Sequence, residues 1–120
     1  RAEMCENDRS ATGYLERAEF EAVADQFFAD PERSVRGWER AVDAQRRIVG
    51  AVRDAIEAFP LHDLIFCGHG AVGSLLYCHL AGAQIDRQWD QPGPGCWFAF
   101  DPGTFRVAHH WRPLEIYGAQ

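Results

Sequence analysis

An α/β fold is what this chain predicts, and three observations carry that expectation. Residues 15–59 are dominated by apolar positions at three- and four-residue spacing. A continuous apolar run, Leu64-Ile65-Phe66-Cys67, has the pattern of a strand buried in a parallel sheet. That run breaks at Gly68-His69-Gly70 into a further apolar stretch of helical character. The resulting order of helix, helix, strand, helix, strand, strand places helices against a sheet.

Residues 1–15 are polar, contain Gly13 and read as a connecting or functional loop. A first helix is expected from Leu15 to Ala29, where Phe20, Val23, Ala24, Phe27 and Phe28 form one apolar stripe and Asp30-Pro31 ends it. Ser34 is placed to cap a second, longer helix from Val35 to Phe59, stopped by Pro60. Gly50 weakens its middle and suggests close packing there. The apolar strand 64–67 follows, then a helix from Ala71 to Leu80 closed by Gly82. Residues 83–95 form a loop with Pro92-Gly93-Pro94-Gly95 as its breaker. Cys96 to Phe100 and Phe105 to His109 are expected as strands joined by a type II turn at Asp101-Pro102-Gly103-Thr104, with an irregular tail from Trp111.

The composition suits a single globular domain over residues 1–120: 47% of the residues are hydrophobic and 25% charged. A net charge of −6 argues against a nucleic-acid partner, which would call for a basic face. A few local cations can still oppose that average around a phosphate. Cys5, Cys67, Cys78 and Cys96 form no Cys-x-x-Cys pair. They are expected as reduced, buried thiols of a cytoplasmic protein, with no metal bound through Cys67 and His69. No stretch approaches the roughly 18–20 apolar residues of a membrane span, so no membrane partner is expected. The chain opens Arg1-Ala2-Glu3, which leaves room for sequence upstream.

The chemistry points to the strand-to-helix junction. Glycines on both sides of His69 let the backbone turn sharply and approach a ligand. The amino end of the following helix offers free N–H groups and a positive dipole end to an anion. An imidazole there can donate a hydrogen bond to a phosphoryl oxygen. A lone loop histidine is more often satisfied by nearby backbone, but the flanking glycines favour the functional reading.

Phe66-Cys67-Gly68-His69-Gly70-Ala71-Val72 resembles the second-histidine motif of the histidine phosphatase superfamily, of the phosphoglycerate-mutase-like kind. Upstream, residues 37–47 resemble that family's Gly-Glu-Ser helix segment, with Glu39 and Arg47 at matching spacing and Arg40 where the family usually has Ser. The resemblance covers roughly residues 5 to 110 and implies a three-layer α/β sandwich, incomplete at the N-terminus. It implies a phosphoric-monoester hydrolase acting through a phosphohistidine, without a cofactor, on a phosphorylated small molecule or phosphoprotein. In that scheme His69 and the Gly70 N–H hold the phosphoryl group in flight. The loop Met4–Gly13 resembles the family's Glu-containing loop, so the general acid is Glu6 or, second, Asp8. Arg9 is expected to meet a substrate phosphate or else to pair with Asp8 or Glu6. Arg-His-Gly, the family's nucleophile motif, occurs nowhere in the chain, so the chain is expected to be a catalytically silent portion of a longer domain. A non-catalytic binding module on the same scaffold is the rival, and the open sheet edge that such a portion would expose admits a homo-oligomer.

Overall fold

The computed structural model describes residues 2–114. Helix α1 (Arg17–Ala29) forms over the expected stripe. It buries Val23, Ala24, Phe27 and Phe28, and its last turn closes on Asp30, whose N–H donates to the Gln26 carbonyl. Phe27 meets Phe28 edge-on and also the ring of Trp38.

The long second helix starts later than its periodicity predicts. Val35–Gly37 make only a short 3-10 turn, and α2 runs Ala41–Ala58. Arg36 (φ 54°) and Gly37 (φ 80°) are both left-handed, a conformation that a right-handed helix cannot absorb twice in succession. A Cβ on residue 37 would stand 2.7 Å from the Ala11 Cβ, so only glycine fits this crossing. Trp38 thus enters the core from extended backbone, 2% exposed, its indole N–H donating to Thr12 Oγ1 at 2.9 Å. Ser34 does not cap a helix; its hydroxyl donates to the Trp38 carbonyl.

Helix α2 presents Ala41, Ala44, Ile48, Val49, Val52 and Ala55 to the interior. Helix α3 (Gly70–Ala81) packs against it, and Gln45 Nε2 donates to the Leu75 carbonyl across the joint. A Cβ on Gly50 would meet nothing within 4 Å, so this glycine does not mark a close contact. Gly82 takes the left-handed conformation that ends α3, as expected (φ 67°).

The sheet departs most from expectation. Residues 64–67 form no ladder; among the described residues no backbone hydrogen bond engages residues 63–68. Their burial still alternates, with Leu64 and Phe66 half-buried and Ile65 (91% exposed) and Cys67 facing out. That period of two belongs to a strand with one covered face. A parallel strand is stabilised only by neighbours, and none lies beside this one among the described residues.

Strand β1 (Cys96–Trp97) pairs antiparallel with β2 (Arg112–Pro113), in a stretch expected to be irregular. The expected hairpin between 96–100 and 105–109 survives as one bridge, Phe100 to Val107. Its turn is not type II: φ is positive at Phe105 and not at Gly103. The Phe105 N–H reaches back to the Asp101 carbonyl, while Asp101 Oδ1 accepts the N–H groups of Gly103 and Thr104. An aspartate at the first position organises the turn more strongly than the Pro-Gly pair does. The tail beyond Leu114 lies outside the described residues.

Among the described residues, three α-helices and a two-stranded sheet therefore realise the three-layer α/β sandwich only in part. The thiols correct a further expectation: all four are free, but only Cys78 is buried, while Cys5 and Cys67 are exposed. Burial holds the Cys78 thiol above its ordinary pKa. Among the described residues no helix is long and apolar enough to cross a membrane.

Leu75 is fully enclosed between α2 and α3. Leu75→Ala should lower unfolding stability by about 2–5 kcal/mol through lost burial and a residual cavity, measured by urea denaturation.

Candidate functional site

His69 closes the unpaired segment 63–68 and is the cap residue of α3, with extended backbone (φ −113°, ψ 157°). Its side chain is solvent-exposed and lines an apolar cavity of about 330 Å³ together with Phe66, Gly68, Gln91 and Trp111. The carbonyl of His69 accepts the Gly73 N–H, so the ring stands at the amino end of a regular helix.

The first N–H groups of α3 are divided between two uses. Ala71 donates to Glu6 Oε2 at 3.1 Å and Val72 donates to Glu6 Oε1 at 2.9 Å. The Gly70 N–H has no acceptor among the described residues. Glu6 thus acts as the cap that neither His69 nor its neighbours supply, and a carboxylate suits the positive end of the helix dipole. The structure brings His69, Gly70 and Glu6 together at one helix terminus.

Arg47 fixes that arrangement from α2. Its guanidinium donates to both carboxylate oxygens of Glu39, and to the carbonyls of Glu3, Cys5 and Glu6. The Glu39 carboxylate holds the Arg47 pKa above its ordinary value. Glu39 in turn accepts the Asp8 N–H, and its own N–H donates to the Asp8 carbonyl. The loop 3–8 is therefore clamped by backbone at both ends. Glu39 and Arg47 are the pair that the resemblance to the Gly-Glu-Ser segment singles out, and here they orient the loop.

Arg9 leans back over this loop. Its Nε donates to Asn7 Oδ1 at 3.0 Å, its Nη2 lies 3.6 Å from Glu6 Oε2, and its guanidinium covers the rings of Phe20 and Trp38. Asn7 is 4% exposed, and its Nδ2 finds no acceptor among the described residues. Asp8 points elsewhere: its carboxylate accepts both the N–H and the hydroxyl of Ser10. The Ser10 side-chain bond, aided by the Ser10 N–H, holds Asp8 below the usual carboxylate pKa. Asp8 is thus tied up as a turn former and Glu6 is the carboxylate at the helix.

Arg40, the residue that departs from the Gly-Glu-Ser pattern, turns away to Asp43. Gln91, in the loop 83–95, sits beside the site because the buried Ser74 hydroxyl accepts its N–H, and a Cβ on Gly70 would lie 3.7 Å from Gln91 Oε1. Trp89, in the same loop, instead stacks on His110 and accepts the Trp111 indole N–H at its carbonyl. Trp111 was missed as a lining residue. Its ring lies so close over Gly73 that a Cβ there would be 3.2 Å away, and no local pattern announces a contact of that range. Among the described residues no three His, Cys, Asp or Glu side chains gather as a metal-binding group.

A family model described as histidine phosphatase superfamily (branch 1) matches residues 9–110. Arg9, His69 and Gly70 fall inside that stretch, and Glu6 and Asp8 lie just ahead of it. No curated protein matches the chain.

Two outcomes follow from the clamp. Arg47→Met leaves Glu39 without its partner and frees three carbonyls, so stability should fall by about 1–3 kcal/mol in chemical denaturation, with faster amide exchange at Asp8 and Val72. Ser10→Ala should raise the Asp8 pKa toward the ordinary carboxylate value in an NMR titration. Because the folded pKa is depressed, the Asp8 contribution is present above the unfolded value and is lost as pH falls through the folded one.

Proposed function

The chain belongs to the histidine phosphatase superfamily, and we propose that it is the phosphoryl-binding portion of a phosphoric-monoester hydrolase working through a phosphohistidine. The observation that carries this reading is the convergence at α3: an exposed imidazole, a Gly70 N–H unengaged among the described residues and a carboxylate, all at the positive end of one helix.

Each group has a task in that scheme. A phosphate monoester presents its non-bridging oxygens to the Gly70 N–H and to His69, which offset the charge that builds as phosphorus changes partners. The nucleophilic imidazole forms the N–P bond while the P–O ester bond breaks, and Glu6 in its protonated form gives its proton to the leaving oxygen, becoming the carboxylate. Water then attacks the phosphohistidine, Glu6 recovers a proton from it, and inorganic phosphate departs. Arg9, beside Glu6, adds positive charge at the entrance.

The nucleophile is not among these 120 residues, since no histidine follows an arginine and precedes a glycine. In this reading it arrives with strands that pair with residues 63–68 and complete the three-layer sandwich. The open backbone of 63–68 and the outward Ile65 support that. The chain by itself is then a truncated domain without turnover. Substrates fall in the class of phosphorylated small molecules or phosphoproteins, and the compartment is the cytoplasm. A binding module on the same scaffold is favoured by the missing nucleophile alone.

The test supplies the missing part. The 120-residue chain should bind inorganic phosphate, read as shifts of the Gly70 amide and His69 ring in NMR spectra, and should not hydrolyse 4-nitrophenyl phosphate. Extended by a strand bearing Arg-His-Gly, it should turn over, and His69→Ala should cut that rate by about 10²–10³. Equal turnover without the imidazole would remove His69 from the reacting phosphorus. Phosphate binding with no turnover after extension would establish the binding-module reading.

A further inference from the structure

A second, more open pocket, of about 390 Å³, has in its lining Arg9, whose Nη2 also lies 3.6 Å from Glu6 Oε2. It is lined by Arg9, Tyr14, Leu15, Arg17, Phe20 and Trp38, with Gly13 at its edge. The volume falls in the range of small-ligand pockets. Two arginines and three aromatic residues are in its lining and, among the described residues, no Asp or Glu is, in a chain whose net charge is −6.

Its walls have distinct roles. The Arg9 guanidinium lies 4.8 Å from the Phe20 ring centroid and 5.2 Å from that of Trp38, so one of its planar faces is already stacked. Trp38 is locked by its bond to Thr12 Oγ1, which makes that wall rigid. Gly13, left-handed at φ 63°, turns the chain so that Tyr14 stands at the rim with 90% of its surface exposed. Arg17, on the first turn of α1, pairs with no carboxylate among the described residues. An exposed tyrosine and an unpaired arginine beside a stacked guanidinium contribute nothing visible to the fold. They match a flat ring bearing negative charge, which would stack on Tyr14 and on the outer face of the Arg9 guanidinium, itself backed by Phe20 and Trp38, and pair with Arg17.

We propose that this cavity is a leaving-group subsite, taking an aromatic ring that carries an anionic substituent. The inference rests on the phosphatase reading for its placement, because Arg9 bridges the cavity and Glu6, whose protonated carboxyl group would protonate the leaving oxygen. The favoured substrates are then anionic aryl phosphates over simple alkyl phosphates.

The probe is 4-hydroxybenzoate, titrated into the full chain and followed by backbone amide shifts. Shifts at Gly13, Tyr14, Arg17 and Phe20 are expected, with cyclohexanecarboxylate binding at least fivefold more weakly. Arg17→Gln and Tyr14→Ala, both at exposed positions, should each weaken 4-hydroxybenzoate at least fivefold and leave inorganic phosphate binding unchanged. Equal affinity for the two carboxylates, shifts confined to other residues, or indifference to both variants would overturn the subsite. A parallel titration with inorganic phosphate keeps the two readings apart. If phosphate moves Gly70 and 4-hydroxybenzoate does not dock, only the subsite fails. If 4-hydroxybenzoate docks as described and phosphate leaves Gly70 unmoved, the phosphoryl-site reading fails and the anionic-ring site stands.

Discussion

The reach of Arg47 across the amino-terminal loop is the constraint on which the candidate site depends. One guanidinium, half-enclosed between α2 and the loop, satisfies both oxygens of Glu39 and three backbone carbonyls. A planar fork of five donors can do this and an ammonium cannot. The result is that Glu6, far in sequence from α3, is delivered with both oxygens onto the first N–H groups of that helix. An ion pair exposed on a surface would contribute little. Here the two side chains are 25% and 19% exposed, and the pair carries several backbone bonds with it.

The same delivery sets up a competition within the site. A helix amino terminus favours any anion, and Glu6 already engages the Ala71 and Val72 N–H groups, leaving Gly70 beside His69. A phosphoryl group and a carboxylate can share one terminus only if cations moderate their repulsion. Arg9 is placed between Glu6 and the second cavity to do so. The overall negative charge of the chain thus says little about this place, where local cations prevail over the average.

Residues 63–68 form the other pole of the architecture. Phe66 anchors the segment to the core while Ile65 and Cys67 look outward, so its inner face is packed and its hydrogen-bonding edges are not. A strand in this condition is the natural place for further strands to add. It also carries His69 at its carboxyl end, the position where ligands gather in open α/β sheets. Completion of the sheet and completion of the active site are, in the proposed reading, one event.

Local chemistry was legible in the sequence wherever neighbours in the chain settle the matter. The stripe from Phe20 to Phe28, the apolar positions of α2, the Gly82 terminator and the glycine-flanked His69 all follow from spacing and from backbone freedom, and all stand where they were expected. The late start of α2 was not legible, because periodicity continues through Val35 and Trp38 while two left-handed residues and the Ala11 contact break the helix between them. Nor was the pairing of 96–97 with 112–113, nor Trp111 over Gly73, since these are contacts between segments with no shared local pattern. Sequence alone determined that His69, between two glycines, stands where a helix begins. Only the tertiary structure decided that Glu6, and not Asp8, reaches that helix, because one carboxylate is carried there by Arg47 and the other is spent on Ser10.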